Sequence, residues 1–320
     1  MPQLDLPLDQ LTTYQGRNPC PADLDAFWEA GLAEMRALDP RVELTPAAFQ
    51  VPGAECFDLW FTGTGGARLH AKYLRPAGGG GKRPCMLLFH GYTGNAGGWF
   101  EKLAWVQQGY CVAALDCRGQ GGQSTDPGGV AGNTHNGHII RGLDGSSPHQ
   151  LYYRHVFLDT ALLARVVSTL PEVDGDRLGA SGWSQGGALT LACAALEPRI
   201  RRIAPVYPFL CDYRRVWEMD LAKDAYAELR TYFRNFDPRH EREAAIFERL
   251  GYIDCQHLAK RIRADVLLTV GLMDPICPPS TQFAAYNKIT ARKELLIYPD
   301  FGHEGLPDAH ERIALFMRGL

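Results

Sequence analysis

Three residues of this 320-residue chain have the types and the order needed for acyl transfer: Ser184, Asp274 and His303. Ser184 lies in Gly182-Trp-Ser-Gln-Gly186, between the apolar Leu178-Gly-Ala180 and the apolar run Ala188–Leu196. That pattern predicts a buried strand, a sharp turn and a helix, the arrangement that presents a serine hydroxyl above a sheet edge. Gly182 and Gly186 flank the serine because a Cβ at either place would strike the neighbouring strand or helix, and Gly187 lets the helix pack closely. Alone, G-x-S-x-G is a weak pattern, and a glycine-rich turn with an incidental serine competes with it. Its partners decide the matter.

A serine hydroxyl is a poor nucleophile until a positioned base takes its proton, and the base needs a carboxylate to orient it. The expected chain order is serine, acid, histidine. The apolar run Val266–Val270 ends in Gly271-Leu-Met-Asp274-Pro, and Leu295–Tyr298 ends in Pro299-Asp-Phe-Gly-His303-Glu304. Both polar residues follow late strands, on the edge that carries Ser184. Asp274-Pro is also an ordinary turn opener, and Asp300 and Glu304 are rival acids, but adjacency to His303 makes their geometry awkward. The backbone N–H of Gln185 and one N–H from the loop after the third strand should hold the oxyanion. That loop is His90-Gly-Tyr-Thr-Gly94, where Gly91 permits close approach and Tyr92 supplies the second N–H. His90 stands at a strand end and reads as a structural hydrogen bonder. Ile276, two residues past Asp274, with Tyr92 and Phe209 opposite, should wall the acyl side tightly.

The elements that position these residues read as one α/β domain over residues 1–320. Leu24, Phe27, Trp28, Leu32 and Met35 form one helical stripe near Ala22–Leu38, an N-terminal extension (residues 1–50) packed on the body or else a partner-binding helix. Glu55–Phe61 and Leu69–Arg75 flank Thr64-Gly-Gly66 as a hairpin. Pro84–Phe89 and Cys111–Asp116 are continuous apolar runs of the kind buried on both faces. From there strand and helix alternate, which builds a mostly parallel central sheet with helices on both faces. Gly119–Gln150 is too long for an idle connection. Residues 207–262 carry helical, charged and aromatic stretches without a strand, a helical insertion over the active site.

Composition closes off other classes. A net charge of −3 with 46% hydrophobic and 22% charged residues suits an ordinary globular protein and points to neither nucleic acid nor membrane. The N-terminus has early acids and no basic region, so it does not read as a secretory signal. Nine cysteines without C-x-x-C pairs read as a reduced, cytoplasmic protein lacking disulfides and a metal site.

Arg118-Gly-Gln120, Gly182-Trp-Ser-Gln-Gly186 and His303-Glu304 together resemble the signature motifs of the acetyl xylan esterase/cephalosporin C deacetylase family, carbohydrate esterase family seven. His90–Gly94 and Asp274–Thr281 resemble it too. The resemblance implies an α/β-hydrolase fold, no cofactor, and serine-dependent deacetylation of xylo-oligosaccharides and cephalosporin C. It also implies a cytoplasmic homohexamer with an interface loop near Asn136–Arg141. Composition assigns Arg118-Gly-Gln120 no chemical role, so it reads as support beneath the site. A peptidase or thioesterase on the same fold is one rival, although a peptidase usually carries an extra domain for which this chain has no room. A non-catalytic binder is the other, and such proteins usually lose a triad member.

Overall fold

The computed structural model describes residues 4–127 and 136–320. Nine strands form one sheet in the order β1-β2-β3-β5-β4-β6-β7-β8-β9. They are β1 Glu43–Pro46, β2 Ala54–Thr62, β3 Arg68–Pro76, β4 Arg83–Phe89, β5 Cys111–Leu115, β6 Val173–Trp183, β7 Ile200–Val206, β8 Asp265–Gly271 and β9 Lys293–Tyr298. The first pairings, β1–β2, β2–β3 and β3–β5, are antiparallel, and every pairing from β5 to β9 is parallel. This is the α/β-hydrolase arrangement.

The strands buried on both faces are those with unbroken apolar runs. All five residues of β5 are buried. In β4, Cys85, Leu87 and Phe89 join the large core beneath the helices Leu24–Ala37, Tyr152–Val167 and Gln185–Leu196. Met86 points the other way, into a cluster with Ala309, Ile313 and Met317 of the closing helix. Period-two alternation thus feeds two cores, one on each face. The helix Gln185–Leu196 is buried on every side, which is why it is apolar all round rather than amphipathic. The N-terminal stripe lies inside its own chain: Trp28 is fully buried, stacks on Phe157 at 5.9 Å and donates to the Tyr252 carbonyl at 3.1 Å. The partner-binding alternative for that face is set aside, because the face is already covered.

Some expectations need correction. The edge strand β1 was not foreseen, so the loop carrying Tyr92 follows the fourth strand, not the third. The cause is physical: Glu-Leu-Thr-Pro is short, mostly exposed, and held by cross-strand pairing rather than by an apolar face. The closing helix, read from the sequence as Leu306–Leu320, covers only Ala309–Met317, and Asp308 before it sits in the left-handed region at φ 51°. Residues 207–262 contain helices at Tyr213–Glu218, Ala227–Phe236, Glu243–Leu250 and Cys255–Leu258, with no strand. No helix among the described residues is long and apolar enough to cross a membrane. All nine cysteines are free, eight of them buried.

Candidate active site

The site forms where β4, β6, β7, β8 and β9 end. At the β6 terminus Ser184 takes φ 59° and ψ −117°, a costly conformation for a residue with a Cβ. The surroundings enforce it. The Ser184 N–H donates to the Val206 carbonyl and the Ser184 carbonyl accepts from the Phe209 N–H, both at 3.0 Å. The flanking glycines are obligatory for space. A Cβ on Gly182 would lie 2.5 Å from the Gly186 backbone, and one on Gly186 would lie 2.1 Å from the Phe89 carbonyl oxygen. Any side chain there would push the turn off the sheet.

Asp274 and His303, 29 residues apart, meet across adjoining loops: Asp274 Oδ2 accepts from His303 Nδ1 at 2.8 Å. The loops are themselves tied by Met273 N–H donating to the Phe301 carbonyl. Asp274 is fully buried, and its Oδ1 accepts the N–H groups of Ile276 at 2.9 Å and Cys277 at 2.8 Å. The carboxylate is thereby fixed and aimed, and the His303 Nδ1 proton is held on the acid side. Of the rival acids, Asp300 is exposed and Glu304 accepts from the Gly302 N–H at 3.0 Å. His90 donates from Nδ1 to its neighbour's carbonyl at 2.7 Å and accepts the Cys117 N–H on Nε2 at 3.0 Å. Burial lowers its pKa, so it stays neutral with both nitrogens occupied.

The loop with Tyr92 is clamped to the helix that begins at Gln185. Gln120 and Gln185 pair amide to amide at 2.8 and 3.1 Å. Gln120 Oε1 also accepts the Thr93 N–H at 2.9 Å, and Gln185 Oε1 accepts the Tyr153 hydroxyl at 2.8 Å. The Gln185 N–H opens the helix, where the macrodipole favours negative charge. Arg118, two residues before Gln120, forms a buried bidentate pair with Asp159 at 2.6 and 2.7 Å. The Arg118-Gly-Gln120 stretch therefore supports the site from below.

A family model described as acetyl xylan esterase matches residues 1–320. The chain belongs to the acetyl xylan esterase family. Acetyl xylan esterase 1 from Thermoanaerobacterium sp. JW/SL YS485 is 57% identical, superposes with a TM-score of 0.95, and covers 98% of each chain. The acetyl xylan esterase of Paenibacillus sp. R4 is 35% identical with a TM-score of 0.91, over 98% of this chain and 99% of that one. Acetyl esterase Axe7A of Xylanibacter ruminicola is 29% identical across 87% of this chain. The chain spans 62% of that relative's length. The family is one of esterases, hydrolases of the serine-hydrolase type.

Tyr92 and Phe209 come together at 5.7 Å between ring centroids, and Phe209 packs on Tyr226 at 4.3 Å. Ile276, two residues past Asp274, is half-buried against the same core and donates its N–H to Asp274. Several contributors escaped the sequence. The fully buried Cys277 thiol sits beside the Ser184 hydroxyl, and burial pushes its pKa well up. Its sulfur, an Asp274 oxygen and a His303 nitrogen lie within 4.8 Å of one another. Asp274 already accepts three hydrogen bonds and the thiol stays protonated, so we read this cluster as acid–base chemistry rather than as metal ligation. Tyr207 lies 4.4 Å from His303, ring to ring. His70, fully buried, is hydrogen-bonded to Asp116 at 2.7 Å and Asp58 at 2.9 Å. Burial alone would lower its pKa, but the two carboxylates outweigh that and raise it. Asp116 in turn accepts the N–H groups of Ala96, on the loop after β4, and Gln123, on the loop that carries Gln120.

The expected interface loop, Asn136–Arg141, lies within the described residues, and its His138 and Ile139 are buried within the chain. His138 packs on the rings of Tyr92 at 5.3 Å and Tyr152 at 4.9 Å. Glu228, from the helix Ala227–Phe236, accepts the Ile139 N–H at 2.6 Å and the Ile140 N–H at 3.4 Å. Burial raises the Glu228 pKa to about 7 against the pull of those amides. An unfolded glutamate titrates near 4.3, so between about pH 4.3 and 7 the folded chain binds a proton that the unfolded chain does not. Stability from this group is therefore full below that range and is lost as pH rises through 7. Glu228→Gln, which mimics the protonated acid, should be stabilised relative to the wild type at pH 8, by on the order of 3 kcal/mol more than at pH 4. Urea melts at the two pH values measure it, and an equal difference at both would show that the carboxylate is not strained by burial.

Proposed function

We propose that the chain removes acetyl groups from small esters, acetylated xylo-oligosaccharides and cephalosporin C among them, through Ser184, His303 and Asp274. His303 takes the Ser184 proton as the oxygen attacks the acetyl carbonyl. The amides of Tyr92 and Gln185 bind the oxyanion, and protonated His303 hands its proton to the leaving alcohol. Water then repeats the sequence and releases acetate. Asp274 keeps His303 in the tautomer that leaves Nε2 open and stabilises its cation. The observation that carries this reading is the 2.8 Å bond from His303 to a buried, doubly anchored Asp274, on the sheet edge that presents Ser184. No cofactor enters these steps.

Acyl length tests it. An extra methylene gains at most about 0.8 kcal/mol by burial, whereas forcing it into a packed wall costs roughly 1–3 kcal/mol. With Tyr92, Phe209 and Ile276 lining the acyl side, strain wins. Turnover of p-nitrophenyl esters should fall steeply from acetate to butyrate and vanish by octanoate. Ile276→Ala should widen the range while retaining acetate turnover. A profile peaking at butyrate or beyond would overturn the deacetylase reading. A hexamer in the cytoplasm belongs to the same proposal, and a light-scattering mass near 35.4 kDa would remove the assembly.

A further inference from the structure

A second aromatic group lies on the other side of β7 from Phe209. Trp183, the residue before the nucleophile, packs edge-on to Tyr207 at 5.5 Å and against His310 at 4.9 Å. These three side chains, with Gly305, Leu306 and Pro307, line an open pocket of about 560 Å³. Small-molecule sites run from roughly 300 to 1,000 Å³, so the space suits one or two sugar rings. Tyr207 forms the wall shared with the reaction centre, since its ring also contacts His303 at 4.4 Å. Its hydroxyl donates to the Glu304 carbonyl at 3.1 Å, which holds the ring in place.

Direction is set by the chemistry. The histidine must protonate the departing oxygen, so the alcohol half of the ester leaves on the His303 side. The acyl half lies toward Tyr92 and Phe209. A pyranose presents an apolar C–H face and a rim of hydroxyls, and flat aromatic walls bury such a face while leaving the rim in water. We infer that the Trp183–Tyr207–His310 pocket is a sugar subsite for the alcohol half of an acetylated oligosaccharide. The inference rests on the esterase reading above and adds to it the place where the carbohydrate is held.

The experiment compares kcat/KM for acetylated xylotriose with that for methyl acetate, whose alcohol is too small to reach the pocket. Trp183→Ala should lower the ratio of the two about tenfold. Gly305→Leu is the second variant: nothing lies within 4 Å of a Cβ built at Gly305, so the side chain fits the fold and fills the pocket. It should lower the ratio by a similar factor, and unacetylated xylotriose should lose its competitive inhibition in both variants. If Trp183→Ala does not fold, Gly305→Leu decides. A ratio within twofold of wild type in the folded variants would overturn the subsite and leave the esterase intact. Wild-type protein that hydrolyses neither ester would overturn the esterase reading itself.

Discussion

Ser184→Ala should lower turnover by on the order of a million-fold while the protein keeps its fold. The hydroxyl is the only atom removed, and the turn is held by backbone bonds to Val206 and Phe209 that the substitution leaves in place. Alanine bears the same strain at φ 59° as serine, so the elbow neither gains nor loses a reason to exist. The oxyanion donors remain, and residual catalysis over water on the order of a thousandfold is expected from them. Single-turnover and steady-state assays on p-nitrophenyl acetate, with a thermal melt alongside, measure both halves. Retention of even about a tenth of the activity would end the covalent serine mechanism.

The second large effect is at the acid. Asp274→Asn should cost about 10⁴ in kcat, and the structure says which way the amide must face. Oδ1 receives the N–H groups of Ile276 and Cys277, so the asparagine oxygen belongs there and its NH₂ must turn toward His303. A donor facing Nδ1 forces that nitrogen to be the acceptor and moves the ring proton to Nε2. The base then has no lone pair to offer the serine. Folding should be spared, because both backbone amides keep their acceptor. Asp300→Asn, at an exposed turn, serves as the control and should change kcat little. If Asp274→Asn stayed within about tenfold of wild type, another group would be orienting the imidazole.

Sequence reading reached the proposed reactive residues because their signals are local. The elbow declares itself through glycines whose Cβ positions are filled by the chain's own backbone at Phe89 and Gly186. β4, β5 and β8 declare themselves through unbroken apolar runs, and Asp274 and His303 follow directly on the ends of β8 and β9. β1 was missed for the opposite reason. Its four residues, three of them exposed, carry no periodicity, and only pairing with β2 makes them a strand.

What the chain alone determined is the order of strand ends and the residue type at each, since backbone periodicity and turn chemistry act over a few neighbouring positions. Which side chains then meet was decided by the tertiary structure. Glu228 reaches a loop 89 residues earlier, Gln120 clasps Gln185 across 65 residues, and His70 joins Asp116 across 46. Trp183, Tyr207 and His310 share a pocket only because β6 and β7 run side by side beneath the loop after β9. None of these contacts has a spacing that a sequence must keep. Gln120 and Gln185, like Asp274 and His303, meet because parallel strands bring their carboxyl ends to one edge, whereas His70 meets Asp116 across the antiparallel β3–β5 pairing and Glu228 is carried to its loop by the helix Ala227–Phe236.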